Sequence, residues 1–194
     1  MKKILYIASK NPGKILEYKK LLSEVNCQLV LQPDFIEIIE SGKTFKDNAA
    51  IKACEVSKKM KNYAIADDSG LCIEALNGKP GIHSSRYADN DQERIKRVLS
   101  ELEGIEDRRA FFIANVCVAS PVGELVLDIE ARCYGNILLQ SRGNNGFGYD
   151  PIFQEKNTEL TFAEMTDDLK DKLSHRGKAA SKVIPELIKI FSDI

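Results

Sequence analysis

The stretch "YAIADDSGLCIEAL" (residues 63–76) places two adjacent carboxylates, Asp67 and Asp68, between two apolar runs. A short apolar run bounded by turn-forming residues is typical of a buried strand. The pattern therefore predicts two strands, "YAIA" and "LCIEAL", joined by a polar turn over 67–70. An ionised carboxylate that is buried without water or a counter-charge is costly. The pair therefore needs either a solvated turn or a cation at the strand end, and this stretch alone leaves both open.

The periodicity on either side of this stretch predicts the rest of an α/β fold. Apolar runs predict further strands at 4–8 and 28–32, and a hairpin with arms 109–120 and 124–134. Helical spacing predicts helices over 12–25, 44–60, 92–102 and 174–194. Thr44 and Asp47 resemble a capping box at the start of the second helix, and Pro185 predicts a kink or break in the last. The order β-α-β-α-β-β-α-β-β-α indicates a mixed sheet, not a purely parallel one.

Composition and charge indicate which partners and which cellular compartment to expect for this chain. The 194 residues suit one domain or two small lobes, and 43% hydrophobic and 29% charged residues are an ordinary globular balance. The net charge of −1 gives no general attraction to nucleic acid or to an anionic membrane. Five widely spaced cysteines without a C-x-x-C pair indicate buried thiols in a reducing compartment. We therefore expect a cytoplasmic protein without nucleic-acid or membrane partners.

The segment "SKNPGK" (9–14) follows the first predicted strand and opens the first helix. Backbone N–H groups at such a helix start favour an anion, and Ser9, Asn11 and Lys14 add hydrogen-bonding groups and a positive charge. The spacing matches neither the P-loop nor G-x-G-x-x-G. The alternative is an ordinary helix start with a solvated lysine.

Two further charged residues are ambiguous from the sequence. Glu40 ends the run "FIEIIE" and, taken alone, is a surface glutamate. Lys52 lies in the helix predicted over 44–60, where the simplest interpretation is a solvated helix face. Close to carboxylates or phosphates Lys52 would become a counter-charge, which spacing alone does not decide.

Two segments in the second half of the chain combine unusual residue types. In "RGNNGFGYDPIF" (142–153), glycines allow close backbone approach, Phe147 and Tyr149 could stack on a nucleobase, and Asp150 before proline is predicted to be extended. The alternative is a glycine loop pinned by aromatic residues. "SHRGKA" (174–179) places basic residues in the first turn of a helix, against the helix dipole. An anion or an electron-rich base edge would explain that placement.

Seven segments together resemble the inosine triphosphate pyrophosphatase family, over about residues 4–190. They occur in the family's order: "SKNPGK", "TFKDNAAIKA", "ADDSGL", "PGIHSSRYA", "GFGYDPIF", "TFAEM" and "LSHRGKA". The resemblance implies a single catalytic domain over residues 1–194 and an elongated α/β fold. It also implies a mixed central sheet, two lobes with the active cleft between them, and a homodimer. The implied reaction is Mg²⁺-dependent hydrolysis of ITP, dITP or XTP to the monophosphate and pyrophosphate.

The resemblance also implies roles for individual residues. Asp68 is the implied catalytic carboxylate, and Glu40 and Asp68 are the implied metal ligands. The implied substrate-binding residues are Ser9, Lys10, Asn11, Pro12, Gly13, Lys14, Lys52, Ser69, Phe147, Gly148, Tyr149, Asp150, Lys170, His175 and Arg176. Where the family commonly has Thr-Gly-Asn, this chain has Ser9-Lys10-Asn11, which adds a charge beside the phosphates. Since neighbouring side chains of an extended strand point to opposite faces, we expect Asp67 to shape the turn while Asp68 faces the cleft.

Three other interpretations remain at this stage. A related pyrophosphatase for modified pyrimidine nucleotides is the nearest in chemistry. A nucleotide-binding regulator would bind ITP with Mg²⁺ without releasing pyrophosphate. A single-strand nucleic-acid binder would use Phe147, Tyr149 and Arg176, but the net charge of −1 argues against it.

Overall fold

The structure, a computed structural model, describes residues 3–192. Within this range the strands are β1 (Ile4–Ile7), β2 (Gln28–Leu31), β3 (Tyr63–Ile73), β4 (Arg109–Ala119), β5 (Leu125–Ile137) and β6 (Phe153–Glu155). The α-helices are α1 (Pro12–Leu21), α2 (Phe45–Met60), α3 (Asp91–Glu101), α4 (Asp167–Leu173) and α5 (His175–Ser192).

The strands form one mixed sheet with the order β2-β1-β3-β4-β5-β6. Strand β1 is parallel to both β2 and β3, with Ile7 paired to Leu31 on one side and to Ile65 on the other. Strand β6 is antiparallel to β5. The predicted α/β class with a mixed sheet is confirmed.

The predicted turn at 67–70 is wrong. Residues Tyr63–Ile73 form one eleven-residue strand, β3, that runs through both aspartates, and a short 3₁₀ helix follows over Glu74–Leu76. Asp67 and Asp68 are both buried in this strand. The sequence pattern misled because two adjacent charges read as a solvated turn, whereas lysines from distant segments neutralise them here.

The last helix continues through Pro185, where a kink or break was predicted. Helix α5 spans His175–Ser192 with the proline inside it. Val183 and Leu187, on either side of Pro185, are fully buried. A proline inside a helix costs about 3 kcal/mol, and burying each such side chain returns about 1.5–3 kcal/mol, so packing outweighs the lost hydrogen bond. Within residues 3–192 no helix, α5 included, is long and apolar enough to cross a membrane.

The chain divides into two compact units, each made of separated segments. The first unit comprises residues 1–68, 114–131 and 177–194, and the second comprises 69–113 and 132–176. Apolar residues from β1, β4 and α5 form a core in the first unit, whereas Phe112, Phe153 and Phe162 are central to the core of the second. The single catalytic domain, the elongated shape and the cleft implied by the resemblance stay predictions.

Candidate active site

Three carboxylates and two lysines meet in the first unit and are called here the acid–lysine cluster: Lys14, Glu40, Lys52, Asp67 and Asp68. Lys14 Nζ lies 2.9 Å from Asp67 Oδ2. Lys52 Nζ lies 2.8 Å from Glu40 Oε1 and 3.4 Å from Asp68 Oδ1, and it also donates to the main-chain oxygen of Asp67 at 2.9 Å. Lys52 therefore joins both predicted metal ligands through one ammonium group.

Local sequence explains how these side chains reach one another. The predicted capping box is confirmed: Thr44 Oγ1 accepts from Asp47 N, and Asp47 Oδ2 accepts from Thr44 N, both at 3.1 Å. The box begins α2 at Phe45, which places Lys52 in its second turn. Because side chains alternate along β3, Asp67 pairs with Lys14 whereas Asp68 pairs with Lys52. The predicted turn-shaping role of Asp67 is wrong, since its carboxylate is held by a lysine within a strand.

Burial sets the electrostatics of the cluster. The side chains of Lys14 and Lys52 are only 12% and 11% exposed, so the alternative of solvated lysines is wrong for both. Burial raises the pKa of Asp68, and the charge of Lys52 only partly offsets this. Burial alone would lower the pKa of Lys52, but the charges of Asp68 and Glu40 outweigh it and the pKa is raised. Lys52 is therefore a permanent cation beside a carboxylate that accepts a proton readily.

The donor chemistry of the cluster fits a hard divalent cation. Within residues 3–192 no group of three or more His, Cys, Asp or Glu side chains is arranged to hold a metal ion. Mg²⁺ commonly binds through only one or two carboxylates and completes its shell with waters and substrate phosphates. Glu40 and Asp68, which share Lys52, supply that number of carboxylates.

The loop 9–14 is a capped helix start in this structure. Asn11 is the N-cap of α1 and accepts from Lys14 N at 3.2 Å, while Ser9 Oγ accepts from Asn11 N at 3.2 Å. The side chain of Lys10 donates to the main-chain oxygen of Asp34 at 3.2 Å. Of the predicted phosphate-binding residues in this loop, Lys14 is the one that reaches the acid–lysine cluster, and contacts of the others with substrate stay predictions.

A second group of side chains lies in the second unit and is called here the ring–cation cluster: Phe112, Phe147, Phe162, Lys170, His175 and Arg176. The ring of His175 stacks on Phe112 with centroids 4.7 Å apart and planes 10° apart. Lys170 Nζ and the guanidinium carbon of Arg176 each lie 5.2 Å from the centre of the Phe147 ring. Arg176 Nη2 also donates to Ser69 Oγ at 2.8 Å. Two predicted site residues, Lys170 and Arg176, thus lie over the half-buried ring of a third, Phe147, while His175 joins the cluster through Phe112 and Phe162.

Hydrogen bonds fix the loop that carries Phe147. Asp150 Oδ2 accepts from Phe147 N at 2.9 Å and from Lys170 Nζ at 2.7 Å. Gly146 has φ +79°, and a Cβ there would lie 2.0 Å from the same Asp150 oxygen, so this position requires glycine. Asp150 begins a short 3₁₀ helix, and its predicted extended conformation is wrong.

The two aromatic side chains of this loop differ in burial. Tyr149 is buried in the core of the second unit, and its hydroxyl donates to the main-chain oxygen of Ser84 at 2.9 Å. Phe147 is only half-buried. The structure therefore favours Phe147 over Tyr149 as a ring that could stack on a ligand.

Sequence reasoning missed several supporting residues. Asn48 donates to Asp68 Oδ2 at 3.2 Å, and Asp91 Oδ2 accepts from Gly148 N at 2.7 Å. The rings of Phe112 and Phe162 both lie nearly parallel to that of His175, although both residues read as ordinary strand or loop residues. For Asn48 a signal existed: it lies four residues before Lys52 in a helix and next to the apolar Ala49.

The raised pKa of Asp68 predicts a pH-dependent difference in stability. The folded chain binds this proton more tightly than the unfolded chain. The contribution of this carboxyl to the free energy of unfolding is full below its unfolded pKa and is lost as pH rises through its folded pKa. Asp68→Asn should therefore unfold at a higher temperature than the native chain at neutral pH but not in acid. Thermal unfolding in chelator across a pH series measures this, and a pH-independent difference would contradict it.

A mixed α/β fold with a cluster of carboxylates and lysines, and a second cluster of rings and cations, suits a protein that binds phosphorylated aromatic ligands. The chain belongs to the Ham1 family, whose family model matches residues 5–186. This confirms the family resemblance predicted from the motifs.

Several known proteins are similar to this chain over nearly its whole length. A dITP/XTP pyrophosphatase of Prochlorococcus marinus subsp. pastoris is 66% identical over 99% of this chain and 100% of its own length. A dITP/XTP pyrophosphatase of Synechococcus sp. strain CC9311 is 48% identical over 98% of this chain and 93% of its own length. Among solved structures, a HAM1 protein from Coxiella burnetii is similar with a TM-score of 0.86 and 37% identity, covering 96% of this chain and 99% of that one.

Proposed function

We propose that this chain hydrolyses the non-standard purine nucleotides ITP, dITP and XTP to the nucleoside monophosphate and pyrophosphate, with Mg²⁺ as cofactor. Its close relatives, among them a dITP/XTP pyrophosphatase 66% identical over 99% of the chain, make it a hydrolase that acts on nucleoside triphosphates. The observation that carries the finer proposal is the acid–lysine cluster, in which Lys52 contacts both Glu40 and Asp68. A homodimer and a cytoplasmic location stay predictions.

In the proposed reaction Asp68 acts as the general base. Its carboxylate takes a proton from a water whose oxygen forms a bond to the α-phosphorus, and the bond from that phosphorus to the bridging oxygen of the β-phosphate breaks. Lys14 and Lys52 neutralise the charge that develops on the leaving pyrophosphate. Glu40 and Asp68 would hold Mg²⁺, which would supply a Lewis acid for the triphosphate oxygens.

The ring–cation cluster supports recognition of a purine with an oxygen at position 6. Phe147 supplies a stacking surface, which tolerates different bases. His175 and Arg176 supply donors, and hypoxanthine and xanthine carry an acceptor at position 6 where adenine carries an amino donor. Both side chains are buried, so a donor left without an acceptor there would be costly.

A substrate panel tests the proposed function. ITP, dITP, XTP, ATP, GTP and modified pyrimidine triphosphates are incubated with the chain and Mg²⁺, with separate assays for phosphate and pyrophosphate. We expect pyrophosphate release, with kcat/KM for ITP, dITP and XTP far above that for ATP or GTP. Release of single phosphate would overturn the proposed products. Preference for a pyrimidine would favour the related pyrophosphatase, and ITP binding without turnover would favour the regulator.

A further inference from the structure

We propose that Asn48 is a positioning residue for this reaction, because its one amide group holds both the Asp68 carboxylate and the segment that carries Glu40. Asn48 is 1% exposed, which is unusual for an amide side chain. Its Nδ2 donates to Asp68 Oδ2 at 3.2 Å, and its Oδ1 accepts from Gly42 N at 2.9 Å. The inference rests on the proposed function, since it assigns a role in the same site.

Asn48 and Lys52 contact the same carboxylate, that of Asp68, from successive turns of α2. The two residues are four apart in α2 and so lie on one face of the helix, a turn from each other. Asn48 binds Oδ2 of Asp68, whereas Lys52 binds Oδ1. Both oxygens of the carboxylate are thus held from one rigid element, which fixes the plane of the group that is proposed to take the proton.

The second donor to Asp68 is an uncharged amide, that of Asn48, and the absence of charge matters as much as its position. Lys52 already places one positive charge against Asp68. An amide donor adds a hydrogen bond without adding another charge, so Asp68 keeps the negative charge that a metal ion or a proton needs. A second lysine or an arginine at position 48 would neutralise that charge, and an apolar residue would leave one oxygen of Asp68 without this donor.

The oxygen of the same amide fixes the neighbouring segment. A Cβ on Gly42 would lie 2.6 Å from Asn48 Oδ1 and 2.6 Å from Asp47 Cβ, so the backbone approaches α2 closely only because residue 42 is glycine. Glu40 lies two residues before Gly42 and reaches the Nζ of Lys52 at 2.8 Å. The positions of both proposed metal ligands therefore depend on Asn48.

The test separates this role from a merely structural one. Asn48→Asp keeps an acceptor for Gly42 N, so the segment stays anchored, but Asp68 Oδ2 loses its donor and faces a second negative charge. We expect kcat for ITP to fall by about 10²-fold, the loss that a misplacement of the order of 1 Å can cause, with KM changed little. Ser57→Ala is the matched control, because Ser57 is also fully buried on α2 and its hydroxyl donates to the main-chain oxygen of Cys54. That variant should keep native kcat and KM.

A second variant and a measurement of thermal unfolding test the role of Asn48 independently of Asn48→Asp. Gly42→Ala pushes on the amide from the other side and should lower kcat in the same direction, which serves if Asn48→Asp does not fold. The rise in unfolding temperature caused by MgCl₂ alone should be smaller in Gly42→Ala than in the native chain. A native kcat in Asn48→Asp, or a loss fully explained by a raised KM and a lower unfolding temperature, would overturn the inference. If the native chain releases no pyrophosphate but its MgCl₂-induced shift is smaller in Gly42→Ala, the proposed function fails, whereas the positioning of the two carboxylates for a cation stands.

Discussion

We expect Asp68→Asn to lower kcat for ITP by about 10²–10⁴-fold, the usual contribution of a general base, while the chain stays folded. The substitution keeps the shape of the side chain, and the amide can still accept from Asn48 Nδ2, which donates to Asp68 Oδ2 at 3.2 Å in the native chain. It removes the charge that is proposed to take the proton and to hold the cation. Because burial raises the pKa of Asp68, a neutral side chain there should not lower the unfolding temperature at neutral pH.

Asp67→Asn is the matched control, since it removes the adjacent carboxylate of the same strand. The Asp67 side chain is 1% exposed and pairs with Lys14 at 2.9 Å. Removing one partner of a buried pair destabilises the fold by up to about 3–5 kcal/mol. Asp67→Asn removes the 2.9 Å ion pair of Lys14, whereas Lys52 keeps its ion pair with Glu40 when Asp68 is changed. We therefore expect a lower unfolding temperature from Asp67→Asn and a far larger loss of kcat from Asp68→Asn. Equal losses of kcat in two well-folded variants would refute this division between the two aspartates.

We expect Arg176→Ala to reduce the preference for ITP over ATP, measured as a ratio of kcat/KM values, by about 10–100-fold, because a hydrogen bond from a charged donor is lost. A hydrogen bond from a charged donor is worth about 1.5–3 kcal/mol, and the proposed acceptor, the 6-oxygen, is present in ITP and absent from ATP. A site built on such bonds can reject the wrong partner by about 10⁴–10⁵-fold, so the native ratio leaves room for this loss. Rejection of guanine must instead involve its 2-amino group, and no residue here accounts for it.

Arg97→Ala is the control for the arginine prediction. Arg97 also lies over an aromatic ring of the second unit, with its guanidinium carbon 3.9 Å from the centre of the Tyr87 ring, but it is outside the ring–cation cluster. Its removal should leave the ITP-to-ATP ratio at the native value. If Arg176→Ala slows ITP and ATP hydrolysis by the same factor, Arg176 does not read the base.

The parts of the fold that local sequence determines were predicted well. Thr44 and Asp47 are three residues apart, and their mutual hydrogen bonds begin α2 where the pattern placed it. The error at β3 arose because this strand depends on contacts between residues that are far apart in the sequence. Asp67 meets a lysine 53 residues away, and Asp68 meets one 16 residues away, so no local pattern reveals that the two charges are compensated.

The candidate site also combines features that the sequence predicts with features that it does not. The motifs predicted which residue types matter, and the structure brings Lys14, Glu40, Lys52 and Asp68 together in the first unit. Burial was not readable from those motifs. Phe147 and Tyr149 look equivalent in "GFGYD", yet Tyr149 is 4% exposed and packs in the core. Asn48 was overlooked because its side chain carries no charge, although its spacing of four residues from Lys52 places both on one helix face.

The uninterrupted course of β3 through Asp67 and Asp68 constrains how this gene segment can evolve. Side chains alternate along a strand, so deleting or inserting one codon shortly before Asp67 would turn both carboxylates to the opposite face. Asp67 would then point away from Lys14, and Asp68 away from Lys52. A substitution in this stretch alters one side chain, whereas an insertion or a deletion of one residue would break both ion pairs at once. We therefore expect the spacing between Tyr63 and Asp68 to be more strictly preserved than the identity of the apolar residues between them.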